Sequence, residues 1–199
     1  MSAVVIIDSG GANIASLRAA LTRLGADSVV TTDHDVIRHA PRVLLPGVGS
    51  AHSAMNKLRG AGLDTLIPTL KQPLLGICLG MQLLFDRSEE GPANCLGIIP
   101  GSIDKLTSAP GKPVPHMGWN QMTQVHDDPL LDGISSLDHV YFVHSFAAAT
   151  SAATVAITDY GMAITAVARR DNFCGTQFHP ERSGVVGSRI LANFLKEGL

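Results

Sequence analysis

Apolar residues in this chain fall into short unbroken runs that alternate with helically spaced ones. Residues 3–8, AVVIID, form a β-branched run ending at Asp8, Ser9, Gly10 and Gly11, which reads as a buried strand and its turn. Residues 13–25, NIASLRAALTRLG, then put Ile14, Leu17, Leu21 and Leu24 on one helical face and stop at Gly25. Further strands are predicted over 27–32 (DSVVTT), 42–47 (RVLLPG) and 73–78 (PLLGIC), with a helix from Met81 onward. Wholly apolar strands alternating with helices imply a mostly parallel central sheet covered on both faces. After residue 95 the texture changes. The runs 138–146 (DHVYFVHSF), 152–158 (AATVAIT), 163–169 (AITAVAR) and 172–179 (NFCGTQFH) predict a small antiparallel β region in the C-terminal half. Residues 184–198 close with a helix, and the Pro/Gly-rich stretch 108–120, SAPGKPVPHMGWN, reads as the longest loop.

A chain of 199 residues suits one domain with a sizeable core. Its net charge of −2, with no basic run longer than Arg169-Arg170, argues against nucleic acid as a partner. No apolar stretch approaches the about 18 residues of a membrane span, and the N-terminus lacks the basic start of a signal peptide. The three cysteines, Cys78, Cys95 and Cys174, form neither a disulfide framework nor a metal knuckle. A cytoplasmic protein with reduced thiols is expected.

Cys78 is the residue that changes the picture. In LLGICLGMQLLF (74–85) it sits between Gly76 and Gly80, where a strand gives way to a helix. From this stretch alone, an inert buried thiol and a nucleophile are equally good readings. As a nucleophile elbow, the glycines permit a strained turn that lifts the side chain above the sheet, and the following helix aims its N–H groups at the sulfur. A thiolate there needs a proton shuttle, usually a histidine held by a carboxylate. Of eight histidines, His34, His39, His52 and His126 lie in polar surface contexts. His179 instead ends a strand in CGTQFHPERSG (174–184), followed by Pro180 and then Glu181, two residues on and close enough to orient its ring. By itself His-Pro-Glu reads as a polar turn. In an α/β sheet, however, sites form at the carboxyl ends of strands, where both Cys78 and His179 are predicted to lie. A third such end, LLPGVGSAHSAM (44–55), lacks the spacing of a phosphate loop. Its turn suits an oxyanion hole, with an N–H from Val48 or Gly49 joined by that of Leu79, each donor supplying roughly 3 kcal/mol. Cys95 and Cys174 read as structural.

Together these segments resemble class I (triad) glutamine amidotransferases: Gly76, Cys78, Gly80 and Gln82 match the nucleophile motif, and His179, Pro180 and Glu181 the downstream one, about 100 residues away. Within that family, VPHMGWN (114–120), YFVHSF (141–146), PGVGS (46–50) and QFHPERS (177–183) are similar to the glutaminase subunits of imidazole glycerol phosphate synthases. The likeness runs from residue 4 to about 197, and PHMGWN separates it from the related domains for GMP, carbamoyl phosphate or anthranilate synthesis. Ser9 and Ala12 depart from the family's usual start, Ala51 replaces a common aromatic, and Phe146 stands for a tyrosine.

The resemblance implies a flavodoxin-like amidotransferase fold over a single domain, 1–199, that hydrolyses L-glutamine to glutamate and ammonia. Cys78 would attack the amide, His179 would move protons and Glu181 would orient His179. Gln82 with the backbone of His144, Ser145 and Phe146 would hold glutamine. No metal or organic cofactor is implied. The implied partner is the cyclase, built as a (βα)₈ barrel, in a heterodimer, reached through Asn13, His116, Met117, Trp119, Asn120 and Arg182. The alternatives are a stand-alone cysteine hydrolase of this scaffold, acting on γ-glutamyl or peptide bonds, and a silent regulatory module.

Overall fold

The computed structural model describes residues 4–9 and 13–196. Gly10 and Gly11 of the predicted turn, Ala12, and the first and last three residues therefore lie outside the described region.

The first half alternates strand and helix as its hydrophobic pattern requires. β1 (Val4–Ile7), α1 (Ile14–Arg23), β2 (Ser28–Thr31), α2 (His34–Arg38), β3 (Val43–Gly47), α3 (Ala51–Gly60), α4 (Leu63–Leu66) and β4 (Leu74–Cys78) follow in order. Strands β1, β3 and β4 are buried along their whole length. Alternate side chains serve the two faces: Val4 and Ile6 join a core with Leu17 and Leu21 of α1, and Val5 and Ile7 join one with Met55 and Leu58 of α3. Such strands can only sit between two helical layers.

Beyond Cys78 come α5 (Leu79–Gln82), β5 (Phe85–Ser88), β6 (Ala93–Asn94), β7 (Ile99–Lys105), β8 (His116–Gln121), β9 (Thr123–Gln124), β10 (His139–His144), β11 (Phe146–Ala148), β12 (Thr154–Asp159), β13 (Ala163–Arg170), β14 (Phe173–Thr176) and α6 (Gly184–Leu195). The eight-stranded sheet runs β2-β1-β3-β4-β14-β13-β12-β9. It is parallel from β2 to β14 and antiparallel beyond. Because β14 returns beside β4, with Thr176 opposite Ile77, the segments bearing Cys78 and His179 leave the sheet at the same edge. Two small sheets flank it, β10-β8 and β11-β7-β5-β6.

Two expectations need correction. The helix predicted from Met81 is a single turn, Leu79–Gln82, after which the chain turns into strand β5. Residues 81–85 are buried on every side, so helical periodicity had no polar face to mark its end. The loop predicted over 108–120 ends in a strand: β8 pairs antiparallel with β10 from His116 opposite His144 to Gln121 opposite His139. Among the described residues, no helix is long and apolar enough to cross a membrane.

Candidate active site

The elbow is built by close packing. Cys78 has φ 54° and ψ −111°, a left-handed backbone that costs about 1–3 kcal/mol for a residue with a side chain. What holds it there is the glycine pair. A Cβ on Gly80 would lie 1.7 Å from the Leu45 carbonyl oxygen, and one on Gly76 would lie 2.6 Å from that of Gly80. The turn is thereby pressed against β3, and Cys78, 8% exposed, rises at the strand end. The helix behind it has only four residues, so it brings little macrodipole to the sulfur. As the first residue of that turn, Leu79 keeps an N–H without an intrahelical acceptor.

His179 is positioned from two sides. Its backbone N–H donates to Tyr141 of β10 at 3.0 Å, and its carbonyl accepts from the Ser183 hydroxyl at 2.7 Å. A 3-10 turn, Pro180–Arg182, then swings Glu181 back so that its Oε1 accepts from His179 Nδ1 at 2.8 Å. With Nδ1 committed to Glu181, the other ring nitrogen is left for the Cys78 sulfur. Burial disfavours the imidazolium, but hydrogen bonds to Cys78 and Glu181 and their charges outweigh it and raise the ring to about 10. The second Glu181 oxygen, Oε2, is buried with no hydrogen-bond partner.

A cavity of about 230 Å³ opens over this group. The predicted oxyanion residues Val48, Gly49 and Leu79 line it, as do Gln82, His144, Ser145 and Phe146. Gly49 sits at φ 89°, so the turn after β3 uses a conformation that only glycine adopts freely. Ser9 anchors that turn, its hydroxyl donating to the Pro46 carbonyl at 2.6 Å. Larger cavities of about 540 Å³ near Asp132 and Lys196 and about 700 Å³ near Arg87 and Lys105 are lined, among the described residues, by no cysteine and no histidine.

Glu90 also lines the site and was missed by sequence reasoning. It belongs to a Ser-Glu-Glu-Gly stretch that looks like any solvated turn. Desolvation raises its carboxyl above the usual range, against a lowering by its hydrogen bond from the Ala51 N–H.

The opposite wall is a network of buried polar side chains. Gln82, expected to hold substrate, spends its NH₂ group on the Phe146 carbonyl at 2.8 Å and on Gln177 Oε1 at 3.0 Å. Only its own carbonyl oxygen remains for a ligand. His144 Nδ1 donates to the same Phe146 carbonyl at 2.9 Å, which leaves its Nε2 to accept from His116 Nδ1 at 3.0 Å. His116 Nε2 in turn accepts from Asn120, which also donates to the Asp159 carbonyl. Every donor meets an acceptor only if both rings are neutral. Burial accordingly lowers both to about 4, helped at His116 by Lys112, while at His144 the Phe146 bond opposes it.

The residues expected at an interface divide. Met117 and Trp119 project outward from β8, 61% and 57% exposed, with Tyr141 edge-on to the indole and Arg182 over the Tyr141 ring. Asn13, half-buried, begins α1 without a side-chain cap bond. His116 was expected at the surface, but strand alternation turns it inward, 2% exposed and stacked between Phe142 and Tyr160. Asn120 backs it from behind. Cys174 is fully buried, its thiol pushed up to about 12 chiefly by desolvation, which suits an inert core residue.

A family described as glutamine amidotransferase class-I matches residues 5–197 of the chain. The chain belongs to this family. Among similar proteins, an imidazole glycerol phosphate synthase subunit HisH from Xanthomonas axonopodis pv. citri is 50% identical over 98% of both chains. One of the same description from Xylella fastidiosa (strain Temecula1) is 49% identical with the same coverage. The amidotransferase fold recurs in the crystal structure of a putative GMP synthase component from Thermoplasma acidophilum. That likeness has a TM-score of 0.75 at 20% identity, over 98% of this chain and 92% of that one.

Proposed function

We propose that this amidotransferase, read as one domain over 1–199, is the glutaminase subunit of an imidazole glycerol phosphate synthase. The observation that carries the reading is Cys78 on its strained elbow, with His179 beside the sulfur and Glu181 behind the ring. The relatives at 49–51% identity, all described as that subunit, support it.

Glutamine enters the 230 Å³ cavity with its side-chain amide over Cys78. Glu90 faces its α-ammonium, and the Gln82 carbonyl oxygen and the 144–146 backbone bracket the rest. The Cys78 thiolate attacks the amide carbon, and the negative oxygen that forms is met by the N–H of Leu79 and one from the Val48–Gly49 turn. His179, as imidazolium, gives its proton to the departing nitrogen, and ammonia leaves a thioester on Cys78. The neutral ring then takes a proton from water, whose oxygen attacks the thioester and frees glutamate. Glu181 keeps the ring's Nδ1–H oriented throughout.

The ammonia serves the cyclase, a (βα)₈ barrel, which forms imidazole glycerol phosphate and an aminoimidazole carboxamide ribotide. Met117, Trp119, Arg182 and Asn13 form the proposed contact face for that barrel, with Trp119 and Tyr141 as its aromatic anchor.

In the test, Cys78→Ala is reconstituted with the cyclase. Glutamine-dependent synthesis should fall to background, a loss of order 10⁶ by analogy with other nucleophile deletions. Ammonia-dependent synthesis should persist. Loss of both in a folded complex would contradict the role assigned to Cys78.

A further inference from the structure

We infer that Gln177 is a further catalytic residue, whose side-chain N–H donates to the Cys78 sulfur and stabilises it as thiolate. The inference rests on Cys78 being the attacking thiol. Gln177 follows β14, is fully buried, and is anchored by its backbone N–H to the Ala166 carbonyl at 2.9 Å. Its Nε2 lies 3.8 Å from Cys78 Sγ.

The orientation of this amide follows from its neighbours. The Phe146 carbonyl can only accept, so Gln82 must turn its NH₂ toward it. The second hydrogen of that NH₂ then points at Gln177, which must answer with its oxygen. Gln177 is left with its NH₂ toward the sulfur. Reversing either amide would set oxygen against oxygen and NH₂ against NH₂. The direction of the donor is thus imposed from Phe146, through Gln82 and Gln177, to the nucleophile.

Chemistry distinguishes this arrangement from mere filling of the core. A neutral thiol is a weak acceptor and a poor partner for a fully buried amide, whereas a thiolate makes a charge-assisted bond. The neutral S–H has its own acceptor in the Val143 carbonyl, also 3.8 Å from the sulfur. That carbonyl repels a thiolate, and the Gln177 N–H offsets the repulsion. The same donor stabilises the sulfur again when it leaves the thioester.

The test is alkylation of the full-length chain by iodoacetamide, followed at the Cys78 peptide by mass spectrometry. Gln177→Glu keeps the size and an oxygen toward Gln82 while replacing the donor by an oxygen, and Gln177→Met removes both polar atoms. Either folded variant should react about tenfold more slowly at neutral pH, the worth of one charge-assisted bond, and recover at alkaline pH. Reaction at the wild-type rate, with an unchanged melting temperature, overturns the inference. A third measurement needs no variant at Gln177: its side-chain amide proton resonances should move as the wild-type thiol ionises, and the movement should vanish in Cys78→Ala. Resonances that do not move overturn it as well. Failure of the glutaminase reading shows separately, as a wild-type Cys78 that a thiol-directed glutamine analogue does not label.

Discussion

The two walls of the site are made differently. The wall formed by β3, β4 and α5 is a backbone device: Gly76 and Gly80 allow close approach, Cys78 accepts a left-handed φ, and the Val48–Gly49 turn and Leu79 line the cavity. The wall formed by β8, β10 and the end of β14 is a side-chain device, in which His116, His144 and Gln177, joined by Gln82 reaching across from α5, satisfy one another in a buried interior. Backbone placement resists gradual loss, because a glycine either fits or it does not. A buried polar network loses function one hydrogen bond at a time, since each deleted partner leaves another group unsatisfied.

That contrast can be broken most severely at Gly80. A methyl there meets the Leu45 carbonyl at 1.7 Å, and the carbonyl belongs to a central strand that cannot yield. Gly80→Ala should destabilise the chain by about 3 kcal/mol or prevent folding, read from urea midpoints against wild type. A stable, active Gly80→Ala chain would show that the elbow does not depend on that contact.

A smaller effect is expected on the other wall. His116→Phe keeps the stack between Phe142 and Tyr160 and removes the donor to His144 together with the acceptor of Asn120, whose amide keeps the Asp159 carbonyl. The orphaned His144 nitrogen should cost about 1–3 kcal/mol of stability and raise the glutamine KM more than it lowers kcat. Equal stability and kinetics would reduce this network to packing.

The pH dependence of stability sharpens the picture within the second wall, where the His116–His144 network and the triad histidine His179 pull in opposite directions. His116 and His144 hold protons less readily folded than unfolded, about 4 against 6.5, so their contribution is complete above 6.5 and is lost as the pH falls toward 4. His179 is raised to about 10, so its contribution is complete below 6.5 and is lost as the pH rises through 10. Urea midpoints between pH 4 and 10 should therefore peak near neutrality. His116→Phe should flatten the acid limb and leave the alkaline one in place; the reverse outcome would reassign the groups.

Local pattern was enough for one wall and not for the other. The apolar runs at 3–8, 42–47 and 73–78 determined buried parallel strands, since a strand without a polar side chain must be covered twice. Gly76, Cys78 and Gly80 determined the elbow, because glycine spacing around a turn is a local property of the chain. His179 and Glu181 were legible for the same reason, two residues apart in one turn. Only the tertiary structure decided that β14 lies beside β4 and so brings together groups about 100 residues apart. It alone turned His116 inward, ended the helix after one turn, and brought Glu90 to the cavity from an ordinary charged turn. Gln177 became visible in the same way. The direction of its amide depends on Gln82 and Phe146, which are distant along the chain and adjacent only once the sheet has formed.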